Sequence, residues 1–237
     1  MIPRVGWWKK RQTPLHPIFL EHRLAFKSFN QDLPIGEYEF VVLDTELTGL
    51  DPRRDEILSI GAVQVRDLRI VAGNFFYTYL QPVGQPVNEQ TLIHRITPDR
   101  LKDAPSREQA LLSFVKFCST SLLAGHCLGI DMDFLNRDML RHYHAEMIHP
   151  CLDTMKLARI LTEKESTSYY DRYNHVGYDL AGLSKRFKLP TFQPHDALQD
   201  AMQTAYLFIY LVRKLQCFGL VSLKDFFKAG LFHTNLF

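Results

Sequence analysis

Three features of membrane and secreted proteins are missing from this 237-residue chain. No apolar run approaches the roughly 18 residues of a membrane-spanning helix, and the start MIPRVGWWKKRQTP lacks the apolar stretch of a signal peptide. The four cysteines, at positions 118, 127, 151 and 217, have no C-x-x-C spacing. We therefore expect a cytoplasmic protein with no membrane segment, no disulfide framework and no zinc site.

A strong net charge is also missing. The formal charge of +2 is too small to indicate a nucleic-acid-binding protein by itself. It is unevenly distributed, however, because residues 1–30 hold six Lys or Arg and one Glu, which gives +5 and leaves −3 for the rest. We predict that residues 1–37 form a basic N-terminal extension. Its charge and tryptophans either attract nucleic-acid phosphates or belong to a solvated or packed arm.

The order of apolar patterns predicts the fold class. FVVLDTE, EILSIGAVQVRD and IVAGNFFYTYL have β-forming residues without a helical period, so they indicate three consecutive strands. A capping box at Ser106 and Gln109 opens a helix, LLAGHC is a short strand, and helices are predicted over about 131–144 and 197–215. This order favours one α/β domain with a mixed sheet and helices on both faces.

Two acidic residues end the first predicted strand. Asp44 and Glu46 project to one face because strand side chains alternate, while Thr45 points to the other. Two carboxylates on one face repel each other unless a cation lies between them. Taken alone, the pair is more often a solvated acidic strand end.

Three further residues could share that site. Asp131 opens a predicted helix, where it either caps the helix or binds a ligand, and Asp200 lies on the apolar side of the long helix. His195 can reach the same site as Asp200 only if it lies in the loop before the helix, with Asp196 as the cap. Otherwise His195 is a surface histidine.

The segments DTELTGL, HCLGIDMDFL and HDALQD, in this order and at these separations, resemble the three motifs of the DEDDh 3′→5′ exonuclease superfamily. The proofreading epsilon subunit of bacterial DNA polymerase III belongs to that superfamily. The similarity extends over about residues 39–216 and includes DEILSIGAV, IHRIT and LDTMKLAR. It implies an RNase H-like fold with a five-stranded mixed sheet. We therefore predict an exonuclease domain over 38–217 and a C-terminal tail over 218–237.

The resemblance assigns roles to individual residues. It implies that Asp44, Glu46, Asp131 and Asp200 bind two metal ions and that His195 is the general base. All-oxygen ligands favour Mg²⁺, with Mn²⁺ able to replace it. Contacts to the terminal nucleotide are expected from a further set: Thr45, Leu47, Glu89, His94 and Ile130. Relatives usually have other residues at 47, 59, 127 and 130, which puts the DNA or RNA preference in doubt.

The resulting functional prediction is stepwise hydrolysis of a nucleic acid from a free 3′ end, on DNA, with release of nucleoside 5′-monophosphates. The alternatives are an RNA-trimming enzyme of the oligoribonuclease or RNase T kind and a catalytically idle binding subunit. A DNA polymerase is one candidate partner. A sliding clamp is another, because the end HTNLF loosely resembles clamp-docking peptides, although it could also pack on its own domain.

Overall fold

The fold was obtained as a computed structural model, which describes residues 15–83, 96–165 and 177–231. Several predicted features lie outside these ranges. They are the basic start of the chain, Glu89, His94 and the terminal HTNLF.

Five strands form one sheet: β1 (Phe40–Leu47), β2 (Ile57–Arg66), β3 (Arg69–Tyr79), β4 (Leu122–Gly125) and β5 (Cys151–Asp153). The described helices are α1 (Pro17–Lys27), α2 (Pro98–Lys102), α3 (Arg107–Cys118), α4 (Gly129–Tyr143), α5 (Thr154–Glu165), α6 (Leu180–Arg186), α7 (Ala197–Gln216) and α8 (Leu223–Leu231). The strand order is β3-β2-β1-β4-β5. The first three strands are antiparallel neighbours, whereas β4 and β5 run parallel to β1. The predicted α/β fold with a five-stranded mixed sheet is confirmed.

Strand β1 is buried on both faces because helices cover the sheet on both sides. Val41 and Leu43 belong to a core that includes residues of α3 and α4. Phe40 and Val42 belong to the opposite core, which includes residues of α5 and α7. Alternate residues of β1 therefore face different helical layers, and this decides which helices can approach the residues at its end.

Helices α1 and α8 lie outside the predicted limits of 38–217 but pack on the same body. Phe19 of α1 is buried in the core that contains Val41, and Phe226 of α8 is buried in the core that contains Phe40. The limits of the exonuclease domain stay a prediction. Within the described ranges, no helix combines the length and the apolar character needed to cross a bilayer.

The helix after β4 begins earlier than the sequence pattern suggested. It starts at Gly129 and ends at Tyr143, so Asp131 lies inside the first turn instead of at the cap. The capping box of Ser106 and Gln109 and the cap of α7 by Asp196 are confirmed.

Candidate metal centre and catalytic residues

The end of β1 presents its polar side chains to two different helical layers. Asp44 and Glu46 follow Phe40 and Val42 on the face towards α7, while Thr45 faces the layer of α4. The alternation in DTE therefore places the two carboxylates side by side, as the sequence predicted.

Helix α7 brings the third carboxylate. Asp200 lies in its first turn, and carboxylate oxygens of Asp44, Glu46 and Asp200 lie within 4.8 Å of one another. This approach depends on Gly61 of β2, which pairs with Asp44. A Cβ atom built on Gly61 would lie 2.2 Å from the carbonyl carbon of Ala197, so any side chain there would push the start of α7 off the sheet.

Asp131 enters from the opposite layer. It is buried at the start of α4, and its Oδ1 accepts a hydrogen bond of 2.6 Å from the hydroxyl of Thr45. The start of α4 is fixed in turn by Asp153 at the end of β5, whose Oδ2 accepts from the backbone N–H of Leu128 at 2.9 Å. The other oxygen of Asp153 accepts from Met155 and caps α5.

His195 precedes α7, as the shared-site prediction requires. It is exposed, and its φ of +65° lies in the left-handed region, which costs a non-glycine residue about 1–2 kcal/mol. The backbone N–H of His195 donates to Oδ2 of Asp200 at 2.8 Å. Asp196 Oδ1 accepts from Gln199 N at 3.1 Å and caps the helix. The carboxylate of Asp200 therefore restrains the loop that carries the histidine.

Burial and mutual repulsion raise the pKa values of these carboxyl groups. Burial raises the pKa of Asp131 to about 7, against the hydrogen bond from Thr45, which lowers it. Burial likewise raises the pKa of Asp200 to about 6, and the N–H of His195 opposes the shift. The pKa of Asp44 is raised well above its ordinary value, first by burial and then by the carboxylates of Asp131, Asp200 and Glu46.

The donor set fits a hard divalent cation. The side-chain carboxylate of Asp44 makes no hydrogen bond and no ion pair with the described residues, although three other carboxylates surround it. A carboxylate in such a setting is costly to ionise unless a cation compensates its charge. Oxygen ligands alone are the preference of Mg²⁺, Mn²⁺ and Ca²⁺.

We expect the metal-free protein to lose stability as the pH rises. The raised folded-state pKa values of Asp131 and Asp200 mean that the folded state holds more protons than the unfolded state between about pH 4 and 7. Their contribution is therefore complete below about pH 4 and is lost as the pH rises through 6 and 7. Thermal unfolding in EDTA should show it, because Asp131→Asn keeps an acceptor for Thr45 but cannot ionise. The variant should exceed the parent in Tm by several degrees at pH 8 and not at pH 4.5. A Tm difference independent of pH would contradict this.

The residues expected to contact the terminal nucleotide differ in solvent exposure. Ile130 is 41% exposed and directly precedes Asp131. Leu47 and Thr45 are buried at the end of β1, so their side chains do not line an open surface. Their backbone groups are what the resemblance places near the terminal sugar, and this assignment stays a prediction, as do those for Glu89 and His94.

Two other acidic residues of α4 are not among the carboxylates grouped with Asp44. Asp133 is exposed, and Asp138 is buried in ion pairs with Arg107 and Arg137. Two structural supports were not predicted: Gly61 as the contact point of α7, and Asp153 as the anchor of α4. The only sequence signal for them was their presence in DEILSIGAV and LDTMKLAR, segments already noted as similar to the exonucleases.

Comparison with known proteins identifies the family. The family model described as "Exonuclease" matches residues 41–208. The DNA polymerase III PolC-type protein of Caldanaerobacter subterraneus is 33% identical over 189 residues, which is 80% of this chain and 13% of that protein. A DNA polymerase III subunit epsilon-like protein of Rhodobacter capsulatus is 32% identical over 81% of this chain and 26% of its own length. The chain thus spans about an eighth to a quarter of these relatives.

Solved structures show the same fold. Exonuclease X, solved in complex with 5′ overhanging duplex DNA, is 25% identical with a TM-score of 0.59, over 81% of this chain and 99% of that one. Exonuclease I of E. coli, solved with a dT13 oligonucleotide, has a TM-score of 0.63 at 16% identity, over 77% of this chain and 43% of that one. The predicted RNase H-like fold is confirmed. With a family model that matches 168 consecutive residues, from 41 to 208, the chain belongs to the exonuclease family.

Proposed function

We propose that this protein is a metal-dependent 3′→5′ exonuclease that acts on DNA. The observation that carries the proposal is the cluster of Asp44, Glu46 and Asp200 within 4.8 Å, with Asp131 beside it. Strand β1 and the first turns of α4 and α7 supply these four carboxylates. His195 lies beside them, in the loop whose backbone donates to Asp200.

The four carboxylates would hold two Mg²⁺ ions, with Mn²⁺ as a replacement. Such cations supply an acidified water near neutral pH and stabilise the charge that develops on phosphate oxygens. Asp44 is the central ligand in this proposal, since the charges of the other three carboxylates all act on it. Glu46 and Asp200 would complete one cation position, and Asp131, which approaches from the α4 layer, would serve the other.

In this proposal His195 takes the proton that the attacking water loses. The imidazole of His195 accepts a proton from the attacking water as the water oxygen bonds to phosphorus. The bond from phosphorus to the 3′ oxygen breaks, and that oxygen takes a proton from solvent water and stays on the shortened strand as its 3′-hydroxyl. The product is a nucleoside 5′-monophosphate. His195 can perform this role because it lies outside the helix that carries Asp200.

Three observations support DNA as the substrate and a polymerase as the partner. The curated relatives are DNA polymerase III proteins, Exonuclease X was solved with duplex DNA, and Exonuclease I with a DNA oligonucleotide. The sliding clamp and the cytoplasmic location stay predictions, since the tail that suggested the clamp lies outside the described residues.

Digestion of matched DNA and RNA oligomers tests the substrate. We expect Mg²⁺-dependent shortening of the DNA strand to be faster than that of the RNA strand. Faster digestion of RNA would replace the proposal with RNA trimming. Binding of both oligomers without digestion would indicate the idle subunit instead.

A further inference from the structure

Two rows of paired residues cross the sheet from the carboxylates to its edge strand. The first row joins Asp44 of β1, Gly61 of β2 and Tyr77 of β3. The second joins Glu46, Ser59 and Tyr79 in the same way. Residues directly opposite each other on antiparallel strands share a face of the sheet. Both tyrosines therefore lie on the face that holds Asp44, Glu46 and the start of α7.

The missing side chain at Gly61 lets Tyr77 contact the loop that carries His195. Because Gly61 has no side chain, the first residue of α7 rests directly on β2. Asp196, the cap of that helix, thereby reaches the third strand, where the hydroxyl of Tyr77 lies 3.4 Å from its Oδ2. Tyr77 and Asp196 are 119 positions apart in the sequence. Because Asp196 directly follows His195, this one contact connects Tyr77 to the histidine loop.

The hydroxyl of Tyr77 is the last member of a directed chain of hydrogen bonds. Arg100 Nη1 lies 3.2 Å from the Tyr79 hydroxyl, and the two tyrosine hydroxyls are 3.0 Å apart. A guanidinium only donates, a carboxylate only accepts, and each hydroxyl has one proton. The consistent arrangement is therefore donation from Arg100 to Tyr79, from Tyr79 to Tyr77, and from Tyr77 to Asp196. Such a chain strengthens its last donor.

The setting keeps Tyr77 in its donor form. Burial raises the pKa of the Tyr77 hydroxyl, and the negative charge of Asp196 raises it further. Asp196 meanwhile uses its other oxygen for the N–H of Gln199. The loop is thus held at two adjacent residues, His195 by Asp200 and Asp196 by Tyr77. An exposed residue at a φ of +65° needs such restraint to keep one orientation.

We propose that Tyr77, supported by Tyr79 and Arg100, is a positioning residue for His195. This inference rests on the proposed function, in which His195 accepts the proton of the attacking water. Tyr77 acts through Asp196, since among the described residues its hydroxyl has hydrogen bonds with Tyr79 and Asp196 and with none of the four proposed cation ligands. Its loss should therefore lower the rate of the chemical step while leaving metal binding and substrate binding in place.

The test is the substitution Tyr77→Phe, which removes the hydroxyl and keeps the ring. The 3.4 Å contact is a weak hydrogen bond, so we expect kcat to fall about 3- to 10-fold with KM and Mn²⁺ affinity within twofold of the parent. The matched control is Tyr38→Phe, which removes a hydroxyl that donates to Asn30 O at 2.7 Å and has no contact with the site. Tyr38→Phe should leave kcat unchanged.

A double substitution separates positioning from a general loss of structure. In a His195→Ala background, Tyr77→Phe should lower kcat by less than twofold, because the residue that it positions is gone. An equal loss with and without the imidazole would overturn the proposal, as would a Tyr77→Phe protein as active as the parent. The activity of the unsubstituted protein is measured first. If that protein is inactive, the proposed function itself is wrong, and the variants are not compared.

Discussion

Asp200→Ala should abolish nuclease activity and weaken metal binding, whereas His195→Ala should lower turnover by roughly 10²- to 10⁴-fold with the metals still bound. The two residues are five positions apart and joined by one hydrogen bond, yet they have different jobs in the proposal. A hard cation loses one of few charged oxygens when Asp200 is removed. His195→Ala removes only the imidazole, because the bond to Asp200 comes from the backbone N–H.

Asp200→Asn is the matched control for the hydrogen bond between the backbone N–H of His195 and the side chain of Asp200. The amide oxygen can still accept from His195 N but has no charge to offer a cation. If coordination is the main role of Asp200, this variant should be as inactive as Asp200→Ala. Calorimetric titration with Mn²⁺ decides between the roles. Loss of metal affinity in His195→Ala as severe as in Asp200→Ala would make His195 a ligand and the base assignment wrong.

Asp138→Ala should destabilise the fold by about 3–5 kcal/mol. Asp138 is 1% exposed, and it accepts from Arg107 at 2.7 Å and from Arg137 at 2.8 Å. Removing it leaves the 6% exposed guanidinium of Arg107 without its closest carboxylate. The other partners, Glu56 at 3.0 Å and two backbone carbonyls at 3.3 Å, offset only part of that loss.

The control is Asp133→Ala, on the same helix but exposed to solvent, which should change stability by no more than about 0.5 kcal/mol. Urea unfolding of both variants measures the difference. Equal free energies of unfolding for the two would show that the ion pairs contribute little. Arg137 also donates to the carbonyls of Pro52 and Asp55, so the same network braces the loop that follows β1.

Most of the sheet could be predicted because its strands are long or strongly patterned. The exception is β5, whose three residues, Cys151–Asp153, are too few to show a period. Only the family resemblance supplied a fifth strand. The early start of α4 was also missed, since Cys127 and Leu128 give no capping signal and the turn is made by a left-handed residue at Cys127.

The carboxylates could be predicted because charge in an apolar setting is visible in a sequence. Alternation placed Asp44 and Glu46 together, and helical geometry required His195 to precede α7, which it does. The supports could not be predicted in this way. The fit of Gly61 under Ala197, and the contact of Tyr77 with Asp196, depend on how distant segments cross. Nothing in the local pattern around a glycine or a tyrosine specifies such a crossing.

Digestion of a 5′-labelled DNA oligonucleotide with a free or a blocked 3′ end, in Mg²⁺ and then in EDTA, tests directly whether this protein is a metal-dependent 3′→5′ exonuclease. We expect a ladder that shortens from the free 3′ end in Mg²⁺, with nucleoside 5′-monophosphates as products. We expect no digestion in EDTA, with the blocked end, or by Asp44→Asn, which lacks the carboxylate at the centre of the cluster. Digestion that persists in EDTA, cutting within the strand, or full activity of Asp44→Asn would show that the carboxylates do not catalyse metal-dependent cleavage from the 3′ end.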